Sequence, residues 1–469
     1  MTFLIALVLA IGLVWASVLV MRGSLMVGCL AFLLVNSCLG YFFYHTRIGP
    51  VEMTADRLVL ILLTGAYFIH RAVGRTDPKP LTTSDYLTFA FLGWLSLRTF
   101  TSDFTATAGD APAPMWHLIV GYLSPLWIFW IARQSRIDRR SVRLLHVCLI
   151  GFGIYLAATA ILEITQQWWA VFPRHIADPE VGLHFGRARG PMVQSIVLGF
   201  CLSICLFCTW TSRQLVSPRR PWLPMLAMPL LLAGIYFSYT RCVWIGAALG
   251  LALIVYLTFS WRVRTVVLGG AMMVGLLVAV VAWDDLVGFQ GGRSAGATRD
   301  STAMRGSFAY VSYQMFQDHP IFGCGFGQYA HAKEAYLADR STSLALEHIR
   351  DQLHHITPLS LLVETGLIGF GLFFAMLAAW GRDAWRLWRA VDAPDWIRAH
   401  GLLMMAVLLA YFANAVFQPV GHMNIVHMML FFLVGISSGL VRSVVPRRSM
   451  PPVNASPTTS RWGRVGLSS

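Results

Sequence analysis

Long apolar runs follow one another along almost the whole of this 469-residue chain, and they constrain its fold more than any other feature. The chain is 57% hydrophobic and 12% charged, whereas soluble domains are roughly 45–50% apolar and about 25% charged. A helix that crosses a bilayer needs about 20 mostly apolar residues, and the runs lack the period-two alternation of barrel strands. The sequence therefore predicts an all-α, polytopic integral membrane protein with about 12–13 transmembrane helices.

The predicted transmembrane segments are Thr2–Val20, Leu25–Tyr44, Arg57–Ile69, Tyr86–Phe100, His117–Ile131, Leu144–Ile164, Met192–Trp210, Leu223–Tyr239, Val243–Ser260, Val266–Trp283, Thr357–Trp380, Gly401–Phe417 and Ile425–Val441.

Arginine clusters in three connections indicate which ends of the helices face the cytoplasm. Ala132–Arg143 carries five arginines, Ser212–Trp222 carries three and Gly381–His400 carries four. Thr101–Trp116, by contrast, has no lysine or arginine. Because positively charged connections lie on the cytoplasmic side, the alternate connections are predicted to face outside.

The chain is predicted to form a single transmembrane domain over residues 1–444, with two large outer loops at residues 166–191 and 284–354. The tail, residues 445–469, is rich in proline, serine and arginine, so it is predicted to be disordered and cytoplasmic.

Within the second outer loop, Gly288–Thr302 is rich in glycine and serine and is predicted to be flexible. The spacing of Phe308, Val311 and Met315 predicts an amphipathic helix over Met304–Gln317. A further amphipathic helical stretch is predicted over Tyr329–Asp351.

Two histidines stand where this loop meets the next apolar helix. His354 and His355 precede Thr357, which suits an N-cap, and Pro358, which suits the first helical position. A histidine there can act as a general base because its ordinary pKa lies near about 6.5, and the helix N-terminus offers N–H groups to an anion. The alternative is that both histidines only favour the headgroup region of the membrane.

Several arginines lie in the predicted outer connections, against the positive-inside pattern. Arg187 and Arg189 precede one spanning helix, Arg241 lies in a tight turn, and Arg305 stands at the start of the amphipathic helix. Guanidinium groups held at a membrane face suit bidentate binding of phosphate or pyrophosphate. The alternative for each is an arginine that extends to lipid phosphate.

Two carboxylates within apolar segments, Glu163 and Glu364, are costly to bury in a bilayer and are candidates for functional roles. Glu364 follows His355 by nine residues, about half a turn out of phase on a helix, so it is not expected to orient that histidine. Pairing of Glu364 with an arginine is expected instead. The acidic pair at Asp284 and Asp285 is too small to predict a metal site, and no cysteine pattern of a zinc site occurs.

Taken together, these residues resemble the O-antigen ligase and O-antigen polymerase superfamily of bacterial membrane glycan transferases. His355 is followed, after ten residues, by the GxxG sequence Gly366–Gly369, which is the spacing of the ligases. Ile356 stands where that family prefers Asn, Ser or Gln. The stretch from Arg305 through His319 to the glycine-rich turn after it also resembles the family's pattern.

Other elements extend the resemblance over most of the chain, from Met53 to about Val441. Arg189-Gly190 is similar to an Arg-Gly element of the family, and Thr240-Arg241 is similar to its Ser-Arg element.

The resemblance implies metal-independent glycosyl transfer, without a cofactor, at the periplasmic face of the bacterial inner membrane. The donor would be a glycan on undecaprenyl pyrophosphate, and the acceptor a hydroxyl of the lipid A-core or of another glycan. Membrane lipids would be partners and nucleic acid would not. By carry-over, His355 would deprotonate or position the acceptor hydroxyl, and Arg189, Arg241 and Arg305 would hold the pyrophosphate. Supporting roles would fall to Arg187, His319, Glu364, Gly366 and Gly369.

Two other functions remain open at this point. An O-antigen or exopolysaccharide polymerase would share this fold and chemistry and would differ in its acceptor. A secondary transporter would need polar groups at the bilayer midplane and internal repeats, whereas the polar residues here collect at the outer ends of the helices and the halves of the chain do not look alike.

Overall fold

The computed structural model describes residues 23–48, 51–105, 113–281, 295–350, 352, 354 and 356–444. Helices dominate the described residues, and they include apolar helices long enough to cross a membrane, so the all-α, polytopic membrane class is confirmed. The longer helices are α1 (Leu25–Cys38), α2 (Ala55–Ala72), α3 (Thr83–Phe100), α4 (Pro114–Gln134), α5 (Arg139–Ile164), α6 (Ser195–Thr211), α7 (Pro224–Phe237), α8 (Arg241–Thr258), α9 (Trp261–Val281), α10 (Ala295–Asp318), α11 (Thr357–Arg389), α12 (Asp395–Ala415) and α13 (Asn424–Val444).

Every predicted segment from Leu25 onward coincides with one of these helices, whereas Thr2–Val20 lies outside the described residues. Within the described ranges, six helices are long and apolar enough to span a membrane, namely α4, α5, α8, α11, α12 and α13. Shorter apolar helices are α1, α6 and α7. The first of them ends at Cys38, before the predicted Tyr44, and an antiparallel hairpin of β1 (His45–Ile48) and β2 (Val51–Thr54) follows it.

Local capping signals fix where several helices begin. The Ser24 hydroxyl accepts a hydrogen bond from the backbone N–H of Met26 at the start of α1. Thr82 and Asp85 form a reciprocal capping box at the start of α3, and Asp138 caps α5. These side chains satisfy N–H groups that the first turn of a helix leaves without partners.

Contacts between connections sort the helix ends into two groups. At the end that we call the basic end, Arg136 donates to the Gly74 carbonyl at 3.2 Å and Arg442 donates to the Leu81 carbonyl at 2.8 Å. Arg136 belongs to a connection that is predicted to be cytoplasmic, and Arg442 lies in the last turn of α13, next to the predicted cytoplasmic tail. Gly74 and Leu81 belong to the connection between α2 and α3.

At the opposite end, which we call the loop end, the predicted outer connections contact one another. The Ala188 N–H donates to the Phe237 carbonyl at 3.0 Å, and the rings of Phe42 and His175 lie 6.2 Å apart. All the candidate site residues that the structure describes are at or near this end.

A buried ion pair ties the chain together near the basic end. Arg133 and Asp85 lie 2.9 Å apart, and both side chains are fully buried. The Ser438 hydroxyl donates to Asp85 at 2.6 Å, and Arg133 donates to the Lys79 and Pro80 carbonyls at 3.1 and 2.7 Å. The network therefore joins α3, α4 and α13 with the segment before α3.

The second outer loop differs in part from its prediction. The amphipathic helix is confirmed as α10, and Phe308, Val311 and Met315 are buried in a small hydrophobic cluster separate from the main core. This helix already begins at Ala295, so the prediction of a flexible Gly288–Thr302 is wrong from that residue onward. The residues before it from 282, with Asp284 and Asp285, lie outside the described residues, as does the tail from residue 445.

No continuous helix covers Tyr329–Asp351, contrary to the prediction. Three short helices occur there, at Tyr329–Ala332, Glu334–Leu337 and Leu346–Ile349. The Asp339 carboxylate accepts from the Ser341 N–H at 2.8 Å, and such a local side-chain bond competes with continuation of a helix.

Candidate functional site at the loop end

His355 lies outside the described residues, whereas His354 and Ile356 on either side of it lie within them. The Ile356 N–H donates to Nδ1 of His354 at 3.0 Å, and Nε2 of His354 lies 2.9 Å from the Ser312 hydroxyl on α10. Because Nδ1 accepts, the proton of a neutral imidazole is on Nε2 and is donated to Ser312. His354 is buried against Phe308 and Tyr329, so it clamps α10 to the start of α11.

The start of α11 is joined to the start of α8 through one glutamine. Thr357 is the first residue of α11 and not its N-cap, which is Ile356. The Thr357 hydroxyl instead donates to the Gln418 carbonyl at 2.7 Å, and the Gln418 side chain lies close to the Cys242 thiol. Two helix N-termini therefore meet at the Gln418 segment.

Arg241 and Arg305 belong to the same neighbourhood. Arg241 is the first residue of α8 and is exposed. Arg305 is exposed on α10, and its positive charge acts on Cys242, the residue that follows Arg241. Arg241 at the N-terminus of α8 and Arg305 on α10 thus lie in the same part of the loop end, where positive charge and helix N-termini favour an anion.

Arg187 supports the turn that precedes Arg241. Its guanidinium donates to the Tyr239 carbonyl at 3.2 Å. Tyr239 adopts a φ of 46°, in the left-handed region, and the Thr240 hydroxyl donates to Ser195 at 3.3 Å. These contacts hold the connection between α7 and α8 against the first outer loop.

Arg189 is buried within its own loop. Its side chain donates to the carbonyls of Val181, Ile176 and Asp178 at 2.6, 2.8 and 3.2 Å, and the guanidinium lies 4.7 Å from the Phe185 ring centroid. Only 1% of the residue is exposed. Burial lowers the pKa of the Arg189 guanidinium below its ordinary value. This geometry favours a role in shaping the loop over the predicted contact with pyrophosphate.

Glu163 completes the anchoring of the same loop. Its carboxylate accepts from the backbone N–H groups of Arg189 and Gly190 at 2.9 and 2.7 Å. The candidate carboxylate at the outer end of α5 is therefore used to cap a turn.

Glu364 is likewise occupied by backbone groups and not by an arginine. Its carboxylate accepts from the N–H groups of Gly327 and Tyr329, the latter at 3.2 Å. Among the described residues no ion pair of Glu364 is found, so the expected arginine partner is wrong. The reason is that the glycine-rich turn after α10 folds directly onto this carboxylate and supplies hydrogen-bond donors from its backbone.

The GxxG sequence is a docking point for that turn. Gly366 has φ 65° and ψ −170° inside α11, so the helix kinks there. The Leu367 N–H donates to the Pro320 carbonyl at 3.0 Å, and a Cβ on Gly366 would collide with the Ile321 carbonyl. Only glycine suits both the positive φ and this close approach.

Two side chains of α3 hold the kink and the turn that docks on it. Trp94 donates to the Thr365 carbonyl at 3.0 Å, and Arg98 donates to the Gly323 carbonyl at 3.1 Å. A Cβ on Gly369 would meet the side chains of Thr365 and Trp94. Gly366 and Gly369 therefore position the helix that follows His355, without touching the two exposed arginines.

His319 is not brought to the exposed arginines. It is exposed just after the C-terminal end of α10, 14 residues after Arg305. At about 1.5 Å per residue, the two are separated by roughly 20 Å along the helix.

Sequence reasoning missed Gln418 and a buried histidine cluster next to it. The rings of His117 and His422 stack 4.0 Å apart, and His427 lies 3.1 Å from the Tyr411 hydroxyl. Gln418-Pro419 has no motif that sets it apart from an ordinary connection, so only the fold identifies it. In the described ranges, no group of three or more His, Cys, Asp or Glu residues is arranged to hold a metal ion.

Comparison with known proteins bears on this arrangement. Residues 226–374 match the family model described as O-Antigen ligase. The match includes Arg241, Arg305, His355 and the Gly366–Gly369 sequence, and it begins after Arg187 and Arg189. No curated protein matches the chain. The resemblance predicted from the sequence is thus confirmed over residues 226–374 of this multi-pass membrane protein, which are similar to the O-antigen ligase family model.

Proposed function

We propose that this protein is an O-antigen ligase-like glycosyltransferase. It moves a glycan from undecaprenyl pyrophosphate to an acceptor hydroxyl of the lipid A-core or another glycan, at the periplasmic face of the bacterial inner membrane. The observation that supports this proposal is that the N-termini of α8 and α11 lie near Gln418, with Arg241 at the first of them and the Arg305 charge acting on Cys242.

In the proposed reaction, the acceptor oxygen attacks the anomeric carbon of the donor sugar. The bond from this carbon to the phosphate oxygen breaks, and undecaprenyl pyrophosphate leaves with the electron pair. His355 takes the proton of the acceptor hydroxyl or holds that hydroxyl in position. Arg241, Arg305 and the helix N–H groups compensate the negative charge that develops on the leaving group, so the proposed mechanism needs no metal.

The residues next to His355 in the sequence are held in place by hydrogen bonds. His354 is fixed to Ser312 and Ile356, and Thr357 is fixed to Gln418. A catalytic group works best when its surroundings are preorganised in this way. Arg189 and Glu364 take positioning roles, because their charged groups are already engaged by the backbone.

The test is transfer activity of His355→Ala, Arg241→Ala and Arg305→Ala, with membrane levels of each variant measured in parallel. Loss of one electrostatic partner of the leaving group is expected to lower the rate about 10²- to 10³-fold. Arg350→Ala is the matched control, because this exposed arginine forms an exposed ion pair with Glu347 at 2.8 Å. Full activity of the three site variants would contradict the assignment.

The glycans of a strain that lacks the protein separate the ligase from the polymerase. Long glycan stranded on undecaprenyl pyrophosphate beside bare acceptor is expected for a ligase. Single repeats on the acceptor, without long chains, would instead support a polymerase, and an unchanged glycan profile would contradict both.

A further inference from the structure

A cavity opens at the loop end, between α1, the hairpin, the first outer loop and the start of α13. Its volume is about 240 Å³. This is slightly smaller than the roughly 300–1,000 Å³ of pockets for drug-sized ligands, so it suits a ligand of about one ring. The exposed aromatic residues Tyr41 and Phe42 contribute to its lining.

Five residues of the lining carry buried polar atoms that have no hydrogen-bond partner in the described part of the protein. They are Nδ2 of Asn36, Oγ of Ser37, Oγ1 of Thr54, Nδ1 of His422 and Oδ1 of Asn424. Asn36, Ser37 and Thr54 are only 5%, 2% and 2% exposed. Buried polar groups are ordinarily paired, so five of them around one space indicate that a polar ligand completes them.

Thr54 shows the point most directly. It is the N-cap residue of α2, yet its hydroxyl makes no capping hydrogen bond. Threonine at this position usually gives that hydroxyl to the first turn. The Thr54 hydroxyl is therefore available to another hydrogen-bonding group.

We propose that this cavity binds one neutral sugar ring of the glycan substrate, in a subsite separate from the arginines of the leaving group. The lining offers an amide N–H, an amide oxygen, two hydroxyls and an imidazole nitrogen, which match the paired donor and acceptor capacity of sugar hydroxyls. The exposed side chains of Tyr41 and Phe42 add apolar surface to the lining, which suits the C–H face of a pyranose.

Charge favours a neutral ring over a phosphate. The Asp56 carboxylate belongs to the lining and would repel an anion. Arg57, the other charged residue of this lining, donates to the Glu52 carbonyl, and its guanidinium lies 5.8 Å from the Trp116 ring centroid. Burial lowers the pKa of His422 to about 4, so its imidazole is neutral at pH 7 and adds no positive charge.

The position of the cavity suits a glycan that also reaches the candidate site. His422 follows Gln418 by four residues and belongs to the same connection between α12 and α13. A sugar held beside His422 would lie on the same connection that joins the starts of α8 and α11. The inference rests on the proposed function, because it assigns the bound sugar to the donor or acceptor glycan of that reaction.

Two probes distinguish the source of the sugar. One is the glycan released by mild acid from the polyprenyl pyrophosphate of the host, and the other is the deacylated core oligosaccharide of its lipid A. Binding of each to the purified full-length protein is measured by saturation-transfer NMR. The variant Asn36→Leu/Thr54→Val keeps the approximate shape of the lining and removes two polar groups.

Binding of one probe is expected to weaken about tenfold or more in this variant, because each lost hydrogen bond removes a partner of a buried group. The probe that weakens identifies the donor or the acceptor as the source. Thermal stability without sugar is expected to stay equal or rise, since Nδ2 of Asn36 and Oγ1 of Thr54 have no partner within the described protein. Ser37→Ala is the milder variant for use if the double variant does not fold.

Arg241→Ala separates this inference from the proposed function. It is expected to abolish transfer while both probes still bind as they do to the wild type. Transfer retained by Arg241→Ala would contradict the proposed function alone. Unchanged binding of both probes to the cavity variants, or absence of binding to the wild type, would overturn the sugar subsite.

Discussion

Arginines at the loop end fall into two kinds, which their side-chain contacts distinguish. The Arg189 guanidinium donates to three backbone carbonyls and is buried, whereas Arg241 is exposed at the start of α8 and Arg305 is exposed in the middle of α10 and not, as predicted, at a helix start. The family resemblance implies that all three hold the pyrophosphate, and each lies in a predicted outer connection. Residue type and position could not reveal that the loop of Arg189 curls back on its own side chain.

We expect Arg189→Ala to lower the stability of the protein relative to the wild type. Loss of Arg189 strands buried carbonyl groups, at a cost of about 2–4 kcal/mol. Thermal unfolding of the purified protein in detergent measures the difference. Arg174→Ala is the control, because this exposed arginine of the same loop donates only to the Trp168 carbonyl at 2.9 Å. Equal melting temperatures for Arg189→Ala and Arg174→Ala would argue against the loop-shaping role.

At the scale of elements, α11 is the helix on which the candidate site depends. It starts beside His354, kinks at Gly366 and receives the turn after α10 at that kink. The spacing of His355 and the GxxG sequence is visible in the sequence. The reason for a glycine at position 366 cannot be seen in the sequence. The atom that would collide with a side chain at Gly366 belongs to Ile321, 45 residues earlier in the chain.

Gly366→Ala is expected to destabilise the protein by about 2–5 kcal/mol, because it adds strain at a positive φ to a steric collision. Transfer activity should fall with it, since the kink positions the start of α11. The same substitution at Gly371 is the control, because a Cβ there meets nothing within 4 Å. Gly371→Ala should be neutral or stabilising by about 0.5–1 kcal/mol. Comparable unfolding temperatures for the two variants would contradict the docking role of the kink.

At the scale of the whole molecule, hydrophobic patterning predicts the helices well but not how they are tied together. The predicted segments from Leu25 onward are helical because each is a long apolar run. The pairing of Asp85 with Arg133 and Ser438 joins residues up to 353 positions apart. A contact between distant residues of this kind depends on the packing order of the helices, and one sequence does not encode that order in any local pattern.

Asp85→Ala is expected to destabilise the bundle by about 3–5 kcal/mol, because it leaves the Arg133 charge buried without its carboxylate. Resistance to unfolding by heat or by SDS in mixed micelles is the measurement. The control is Asp395→Ala, which removes an exposed pair with Arg398 worth about 0–1 kcal/mol. If both variants unfold alike, the buried network does not hold the basic end together.

The cluster of Phe308, Val311 and Met315 under α10 is separate from the core of the bundle. Its packing is driven by water, through the hydrophobic effect, whereas helices inside lipid associate by close packing and hydrogen bonds. Different forces therefore hold the two arginines that we propose to bind phosphate. Arg305 lies on a helix that packs through the hydrophobic effect, whereas Arg241 lies on a helix of the membrane bundle. Cold and urea weaken hydrophobic packing. Under these conditions the packing of α10 should be lost, and binding of the leaving group weakened, before the membrane bundle unfolds.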